Sequence, residues 1–360
     1  MTARVLVLYT GGTIGMVPSA QGFVPAPDLR RRVLGELGGL VDRLPQHDLL
    51  ELAPLIDSAN LSPEDWSRIG TALVERWQDY DGFVVLHGTD TLAYTASALS
   101  FMLAGQDKPV ILTGAQIPLG QLRSDARDNL VTSLLLAARP EISEVCVYFH
   151  GRLLRGNRAR KVRASGFDAF DSPNFPWLGE AGIGLRLRDD LLLAPGTPDF
   201  TVPRCQAGAV AMATVYPGMS AQSLQSLLTA PGVRGLVLQS YGVGNLPAAD
   251  TALLQVLAEA VAAGTTVVNV SQCLNGEVQQ GTYATGAALD AAGVLPGLDL
   301  TPEAAFAKLH LLLARGLPAP ALRRCAGPNP AAPPRASPVE AERAAARSRA
   351  RADKTNRPVR

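Results

Sequence analysis

Near the start of this 360-residue chain, a threonine follows two glycines directly after an aliphatic run. The stretch RVLVLYTGGTIGM, residues 4–16, places Thr13 on that turn. Two later apolar runs also end in polar turns that contain glycine, LHGTDT at 86–91 and LTGAQ at 112–116. The carboxyl ends of strands in an open α/β sheet face one crevice, so we expect the three turns to line one site. Glycine lets the backbone approach a ligand there and present its N–H groups.

Several kinds of site are compatible with such turns. Taken singly, Thr13, Thr89, Asp90 and Thr91 are typical turn residues or helix N-caps, and only their combination favours a site. GGTIG is not GxGxxG and no GxxxxGK[ST] follows, so dinucleotide and P-loop sites lack their diagnostic residues. A phosphate-cradling turn stays open. A Ser/His/Asp hydrolase is poorly supported because the chain has no GxSxG elbow and no histidine paired with a serine in a familiar order.

A lysine is the candidate for activating a threonine. The chain contains 29 arginines and only four lysines, and Lys161 lies in RGNRARKVR among four of those arginines. Arginine keeps its proton in proteins, whereas a desolvated lysine can lose it and act as a base. A lone lysine in a basic run is usually a solvated charge, and only the threonine turns favour a catalytic amine here.

Composition restricts the class of protein. The chain is 47% hydrophobic, so it can bury a large core, and its length favours two domains. No leader-like segment precedes the first strand, and no uncharged apolar run has the length of a membrane span, so we expect a cytoplasmic protein. The residues that could ligate a metal lie far apart, which predicts no metal site: Cys146, Cys205, Cys273, Cys325, His47, His87, His150 and His310.

Charge separates the tail from the body. Residues 335–360 carry a net charge of +5, and the body before them carries −4. The body therefore lacks the excess of positive charge that is typical of nucleic-acid-binding domains. The tail is rich in Pro, Ala and Arg, and we expect it to be a disordered, solvated extension that could touch RNA or an acidic partner.

The alternation of β-branched runs with helical patterns predicts an α/β fold with a mostly parallel sheet. The clearest predicted strands are 4–9, 83–87, 109–113, 145–150, 209–216, 235–241 and 266–271. The predicted helices are 64–79, 92–104, 124–138, 220–229, 248–263 and 302–315. For the first of them, Ser62 is the predicted N-cap, with Pro63 at the first position and Asp65 completing a capping box.

We expect two domains. A larger N-terminal α/β catalytic domain covers 1–188, and a Pro- and Gly-rich linker covers 189–208. A smaller α/β domain with its own βαβαβ unit covers 209–326, and the tail covers 327–360.

Five motifs in order carry a resemblance to a known family. They are TGGTIG near the start, HGTDT at 87–91, TGAQIP at 113–118, RGNRARK at 155–161 and SYGVGN at 240–245. With the flanking DGFVVLHGTDTLAYTASALSFM, the chain resembles the asparaginase/glutaminase family, and most closely its bacterial type I, cytoplasmic members, over about residues 4–325. The resemblance implies hydrolysis of L-asparagine to L-aspartate and ammonia, with no cofactor and no metal.

The resemblance also assigns roles. Thr13 is then the nucleophile, and its acyl ester is hydrolysed by water. Lys161 is the base, Thr89 relays protons or aligns the water, and Asp90 holds the substrate amino group. The matching positions for the remaining substrate contacts are Asp57, Ser58 and Ala115, with a main-chain contact from Thr89 as well.

One residue departs from the family pattern. The loop after the nucleophile usually carries a tyrosine, and here the matching residue is Phe23. A phenyl ring cannot donate a hydrogen bond, so either another hydroxyl approaches Thr13 or activity is reduced. Tyr283, in QGTYATG, is our candidate for that hydroxyl, although a packed aromatic beside a turn is an equally ordinary reading.

Family sites are completed by a partner subunit, which implies a homodimer or a dimer of dimers. The matching residue of the partner's C-terminal domain is Asn245, which by itself reads as a strand-end turn residue. Some type I members carry an allosteric site near the position of Cys273. A buried structural cysteine is the commoner fate, so regulation stays open.

Two other functions remain possible on the sequence. An amidotransferase subunit that feeds ammonia to glutamyl-tRNA is a relative, but it normally carries an extra N-terminal domain. A non-catalytic nucleotide- or anion-binding module would use the glycine turns without needing a deprotonatable amine. Selectivity between asparagine and glutamine depends on one methylene, which composition does not show.

Overall fold

Two sheets organise the part of the chain that the computed structural model describes, residues 3–20, 22–25, 28–247, 249–280, 284–317 and 319–326. The chain divides into two compact units, 1–327 and 328–360. The predicted disordered tail, 327–360, lies outside the described residues. Within the described ranges, no helix is both long and apolar enough to cross a membrane.

The described strands and helices alternate along most of the chain. The strands are β1 (Arg4–Gly11), β2 (Met16–Ser19), β3 (Gly22–Pro25), β4 (Gln46–Ile56), β5 (Gly82–Leu86), β6 (Val110–Thr113), β7 (Val145–Phe149), β8 (Arg152–Arg155), β9 (Arg160–Lys161), β10 (Phe170–Asp171), β11 (Gly179–Ala181), β12 (Leu185–Leu187), β13 (Val210–Thr214), β14 (Gly235–Ser240), β15 (Thr266–Ser271) and β16 (Leu295–Pro296). The helices are α1 (Leu29–Leu37), α2 (Pro63–Val74), α3 (Leu92–Met102), α4 (Ala126–Ala137), α5 (Ala221–Leu228), α6 (Thr251–Ala262), α7 (Ala284–Ala291), α8 (Pro302–Ala314) and α9 (Ala319–Ala326).

The larger sheet has the order β12-β11-β8-β7-β6-β5-β1-β4. The strands from β7 to β4 in this order run parallel to one another, and β8, β11 and β12 extend the sheet with antiparallel pairs. Strands β5, β6 and β7 are buried along their whole length, as expected for parallel strands covered on both faces. The predicted α/β fold with a mostly parallel N-terminal sheet is confirmed.

The smaller sheet has the order β13-β14-β15-β16, and all of its pairs are parallel. Helices α5 and α6 connect its first three strands, which confirms the predicted βαβαβ unit. Helix α8 packs on both sheet systems. Its Ala307 and Leu311 join the core beside α3, and its Leu309 and Leu313 join the core of the smaller sheet. Helix α8 therefore connects the core of the larger sheet with the core of the smaller sheet.

The described elements differ from the sequence-based expectation in several boundaries, and strands β2–β4, β8–β12 and β16 and helices α1, α7 and α9 were not predicted. Helix α2 ends at Val74, and a separate 3₁₀ turn at Trp77–Asp79 replaces its predicted last turn because Trp77 turns into the core and stacks on Phe83. Helix α4 begins at Ala126. Strand β4 was not predicted, because its sequence QHDLLELAPLI lacks a clear period; its pairing with β1 decides its structure.

The predicted N-terminal cap of α2 is confirmed. The Ser62 N–H donates to the Asp65 carboxylate at 2.9 Å, and Pro63 occupies the first turn. Strand β4 leads into this cap through the 3₁₀ turn Ser58–Asn60.

Candidate active site

The site is built at one edge of the larger sheet. Strands β6, β5, β1 and β4 are consecutive neighbours and parallel, so their carboxyl ends lie at the same edge. The residues that follow these ends are Ala115, Thr89, Thr13 and Ser58, in the same order across the sheet. The predicted convergence of the strand-end turns is therefore what the topology produces.

Glycines allow the turns to pack backbone against backbone. Gly12 has a φ of +91°, and a Cβ there would overlap the backbone of Gly88. A Cβ on Gly88 would in turn overlap the side chain of Ser58. The turn that carries Thr13 thus packs directly on the turn that carries Thr89, with Ser58 against its other side.

Thr13 opens the 3₁₀ turn Thr13–Gly15 that follows β1 and is partly buried. Its carbonyl accepts the Met16 N–H, and the buried Ile14 that follows it accepts the Leu119 N–H through its own carbonyl at 3.1 Å. No hydrogen bond joins the Thr13 hydroxyl to another described residue. These two bonds fix the backbone that follows Thr13, while its Oγ1 stays available to a ligand.

Lys161 contacts both polar residues of the β5 turn. Its Nζ donates to Thr89 Oγ1 at 2.9 Å and to Asp90 Oδ1 at 2.7 Å. Thr89 is 5% exposed, the Lys161 side chain 21% and the Asp90 side chain 60%. The site therefore runs from a buried hydroxyl to an exposed carboxylate, with the ammonium between them.

The arginines around Lys161 are ion-paired. Arg155 forms a buried pair with Glu144 at 2.6 Å. Arg158 pairs with Asp299 at 2.6 Å. These contacts, with one between Arg160 and Glu303 at 3.2 Å, fix the segment that presents Lys161. The alternative of a solvated charge, raised for Lys161 itself, does not fit its contacts with Asp90 and Thr89.

Asp57 and Ser58 follow β4. Asp57 caps the 3₁₀ turn Ser58–Asn60, because its carboxylate accepts the Ala59 N–H at 3.2 Å and the Asn60 side-chain amide at 3.3 Å. Ser58 is 4% exposed, and its carbonyl accepts the Thr91 hydroxyl at 2.9 Å. This last bond ties the β4 turn to the β5 turn.

His87 supports the β5 turn from inside. A carbonyl only accepts hydrogen bonds, so the 2.7 Å contact between Nδ1 and the Gly88 carbonyl places the imidazole proton on Nδ1. Nε2 then accepts the Thr95 hydroxyl at 2.9 Å. Complete burial lowers the pKa of His87 to about 4, so it is neutral at pH 7.

Sequence reasoning missed Gln116 as a site residue, although it lies in the quoted TGAQIP motif. Its side chain accepts the Thr89 hydroxyl at 3.3 Å. Its N–H and that of Ile117 donate to the Asp125 carboxylate at 3.0 Å. The signal was its position at the end of a buried strand, directly after Ala115, which is completely buried.

The remaining predicted residues lie elsewhere or outside the described residues. Phe23 is 49% exposed on the hairpin formed by β2 and β3. Tyr283 lies outside the described residues, so the structure does not place its hydroxyl. Asn245 follows β14 in the smaller sheet and pairs through its backbone with Tyr241. Cys273 is exposed, contrary to the expectation of a buried structural cysteine.

The described part of the chain contains no group of three or more His, Cys, Asp or Glu side chains placed to hold a metal ion. The buried cysteines are also unreactive in character, since burial raises the pKa of Cys205 to about 11 and that of Cys146 well above its usual value. The chemistry available at this edge is that of hydroxyls, one amine and carboxylates.

Two protein-family models match the chain. The model described as "Asparaginase, N-terminal" matches residues 4–192, and the "Glutaminase/Asparaginase C-terminal domain" matches residues 209–325. The chain is 47% identical to L-asparaginase 1 of Escherichia coli K12 over 326 residues, which cover 90% of this chain and 96% of that protein.

Solved structures agree with these matches. The crystal structure of L-asparaginase I from Vibrio cholerae superposes with a TM-score of 0.82 at 42% identity, covering 91% of this chain and 97% of the other. The thermostable L-asparaginase of Thermococcus kodakarensis gives a TM-score of 0.80 at 34% identity, covering 93% and 100%. The likeness extends over both sheets.

Proposed function

Because this chain belongs to the asparaginase family, we propose that it works as an L-asparaginase through an ester of aspartate on Thr13. Its reaction is the hydrolysis of L-asparagine to L-aspartate and ammonia, as in the bacterial relatives to which it is similar over nine-tenths of its length. The observation that carries the mechanism is the contact of Lys161 with Thr89 and Asp90 at the sheet edge that also holds Thr13.

In the first step, Thr13 Oγ1 attacks the side-chain amide carbon of asparagine. The new C–O bond forms, the C–N bond breaks, and the proton of the threonine hydroxyl leaves with the amide nitrogen as ammonia. Charge develops on the amide oxygen during the attack. We assign the backbone N–H groups at Thr89 and Ala115 to stabilise it, since both residues lie at the buried sheet edge directly after the glycines of their turns.

In the second step, water attacks the ester carbon. Its proton passes to Thr89 Oγ1 while the Thr89 proton passes to a neutral Lys161 Nζ, so one proton moves in total from water to the amine. The ester C–O bond then breaks, and the proton held by Lys161 returns to Thr13 Oγ1, which restores the threonine hydroxyl and the neutral amine. The 2.9 Å contact between Nζ and Oγ1 supports this relay, since it is short enough for direct transfer.

The carboxylates near Thr13 suit an amino-acid substrate. We assign Asp90 to the substrate α-amino group because its side chain is 60% exposed and only one of its oxygens is engaged by Lys161. Asp57 and Ser58 take the α-amino and α-carboxylate groups from the β4 side.

The function is tested by Thr13→Ala. We expect kcat for ammonia release from asparagine to fall at least about 10³-fold with an unchanged melting temperature, because the attacking oxygen is lost without loss of packing. Thr197→Ala, which alters an exposed threonine far along the chain, serves as the control. Ammonia release at the wild-type rate from Thr13→Ala would overturn the ester mechanism.

We propose that Tyr283 supplies the hydroxyl that Phe23 lacks. Tyr283→Phe should then lower kcat/KM for asparagine at least about tenfold, since one hydrogen bond to the nucleophile is lost. Phe23→Tyr in the same background should restore part of the loss by returning a hydroxyl to the hairpin. Unchanged kcat/KM in Tyr283→Phe would dismiss the assignment.

The assembly and location are also proposals. We propose a homodimer or dimer of dimers in which Asn245 of a partner completes each site, and a cytoplasmic location. We further propose domain limits at 1–188 and 209–326 with a linker between them. The gap between the two matched family models, from 193 to 208, supports that linker.

A further inference from the structure

The orientation of the Thr89 hydroxyl is decided by the residue beside it, Gln116. A threonine hydroxyl has one hydrogen to donate, and it accepts through its oxygen. Lys161, as an ammonium, can only donate, so Thr89 Oγ1 accepts from it at 2.9 Å. The Thr89 hydrogen must therefore point to another acceptor, and Gln116 Oε1 lies 3.3 Å away.

The direction of the Gln116 amide is fixed by chemistry. Its Nε2 lies 3.2 Å from the Ala164 carbonyl and 3.0 Å from the Gly166 carbonyl. Carbonyl oxygens only accept, so the end of the amide that faces them must be the NH₂ group. The opposite end, the amide oxygen, then faces Thr89 and can only accept.

The backbone of Gln116 is anchored as firmly as its side chain. The Asp125 carboxylate accepts the Gln116 and Ile117 N–H groups at 3.0 Å, and it also accepts from the Asn129 side chain at 3.2 Å. Asn129 in turn donates to the Gly114 carbonyl at 3.0 Å. Gln116 is thus held at both ends and connects the β6 turn to the loop that follows Lys161.

We infer that Gln116 is a positioning residue for the proposed hydrolysis, which sets the hydroxyl rotor of Thr89. While Lys161 is an ammonium, Gln116 holds the Thr89 hydrogen away from the amine. Once Lys161 is neutral, the hydrogen turns from the 3.3 Å acceptor to the amine at 2.9 Å, and the Thr89 lone pairs become available to the attacking water. Because the 3.3 Å contact is long for a hydrogen bond, its loss on rotation costs little free energy. The inference rests on the proposed function.

The test uses Gln116→Met, which keeps the length of the side chain and removes the amide. We expect kcat for asparagine to fall about ten- to a hundredfold while KM changes less than about twofold, because orientation is lost and binding is not. The control is Arg123→Gln, in the same loop region but with no contact to Thr89 among the described residues, and it should keep the wild-type kcat.

A double-mutant cycle with Thr89→Val separates positioning from a general structural effect. If Gln116 acts through the Thr89 hydroxyl, Gln116→Met should change the residual rate of Thr89→Val by less than about twofold. An equal loss in both backgrounds would overturn the inference, and so would a loss confined to KM.

Gln116→Glu provides a second readout. Its carboxylate can accept from Thr89 but cannot donate to the Ala164 and Gly166 carbonyls, so the acceptor is kept while the bonds that hold it in place are lost. We therefore expect kcat for asparagine to fall less in Gln116→Glu than in Gln116→Met, with KM again changed by less than about twofold. An equal or larger loss of kcat in Gln116→Glu than in Gln116→Met would count against the inference. Absent asparagine hydrolysis in the wild type, or full activity in Thr13→Ala, would instead refute the proposed function itself.

Discussion

In the RGNRARK segment, Arg155 stabilises the structure, whereas Lys161 contacts the residues proposed to react. Arg155 donates to Glu144 through Nε at 2.6 Å and to the Leu191 carbonyl at 2.6 Å, and both partners of the pair are nearly inaccessible. Such a pair is costly to break because it leaves a buried charge without its partner. Lys161, six residues later, is instead directed to the hydroxyl and carboxylate of the β5 turn.

Histidine 87 makes stability sensitive to acid. Burial lowers its pKa to about 4, whereas an unfolded histidine titrates near 6.5. Between those values the unfolded state binds more protons, so the free energy of unfolding falls as the pH drops through this window. His87→Gln keeps a donor and an acceptor and should remove about 1 kcal/mol of the stability loss between about pH 7.5 and 5.5.

Urea unfolding of wild type and His87→Gln at both pH values measures this difference. His47→Gln controls for loss of an imidazole from a half-buried site. Burial also lowers the pKa of His310 to about 4, so His310 lowers the free energy of unfolding in acid as well. Because it is present in every variant, it does not affect the difference between them. Identical pH slopes for wild type and His87→Gln would show that the imidazole does not titrate as its burial indicates.

At the scale of elements, the site depends on how closely strand-end turns approach one another. Strands β1, β4 and β5 end in backbones that touch at Gly12 and Gly88, with the Ser58 side chain filling the remaining space. A side chain larger than hydrogen has no room at this contact. The glycines are therefore structural conditions for the position of Thr13, in addition to any contact they make with a ligand.

Gly88→Ala tests this contact. The added methyl group meets Ser58 and the backbone of Gly12, so we expect a loss of about 1–3 kcal/mol in the free energy of unfolding and at least a tenfold drop in kcat/KM. Gly182→Ala is the matched control, since a Cβ there meets no atom within 4 Å. It should stay within about 1 kcal/mol of wild type. Equal effects of the two substitutions on thermal melting and kinetics would contradict the packing argument.

At the scale of the molecule, ion pairs connect the Lys161 segment to the region before and within α8. Arg158 contacts Asp299, and Arg160 contacts Glu303 on the first turn of α8. Asn174 adds a bond to the Asp299 carbonyl at 3.3 Å. The two sheet systems are thus joined next to the proposed base, so the position of Lys161 depends on both halves of the chain.

Subunit mixing tests whether partner chains share a site. Thr13→Ala and Asn245→Ala should each be inactive alone, because each removes one part of every site. In a mixed dimer, one of the two sites receives Thr13 from one chain and Asn245 from the other, so random reassociation should restore about a quarter of the wild-type activity. Refolding the two variants together and assaying ammonia release measures this. Activity that stays at the level of the separate variants would show that Asn245 does not act across subunits.

The sequence by itself determined the class of fold and the location of the polar turns. Buried strands such as FVVLH and PVILT are specified by local composition, and the residues after them are read directly from the chain. Five ordered motifs identified the family, and the family models confirmed it. These features depend on residues that are close in the sequence, so they can be predicted from the sequence alone.

Only the tertiary structure decided which side chains meet. Strand β4 acquires its structure by pairing with β1, and Lys161 reaches Thr89 across 72 positions of chain. The role inferred for Gln116 depends on carbonyls at 164 and 166, about 50 residues further along. Such contacts are fixed by sheet order and packing, which involve residues far apart in the sequence, and no local pattern of residues specifies them.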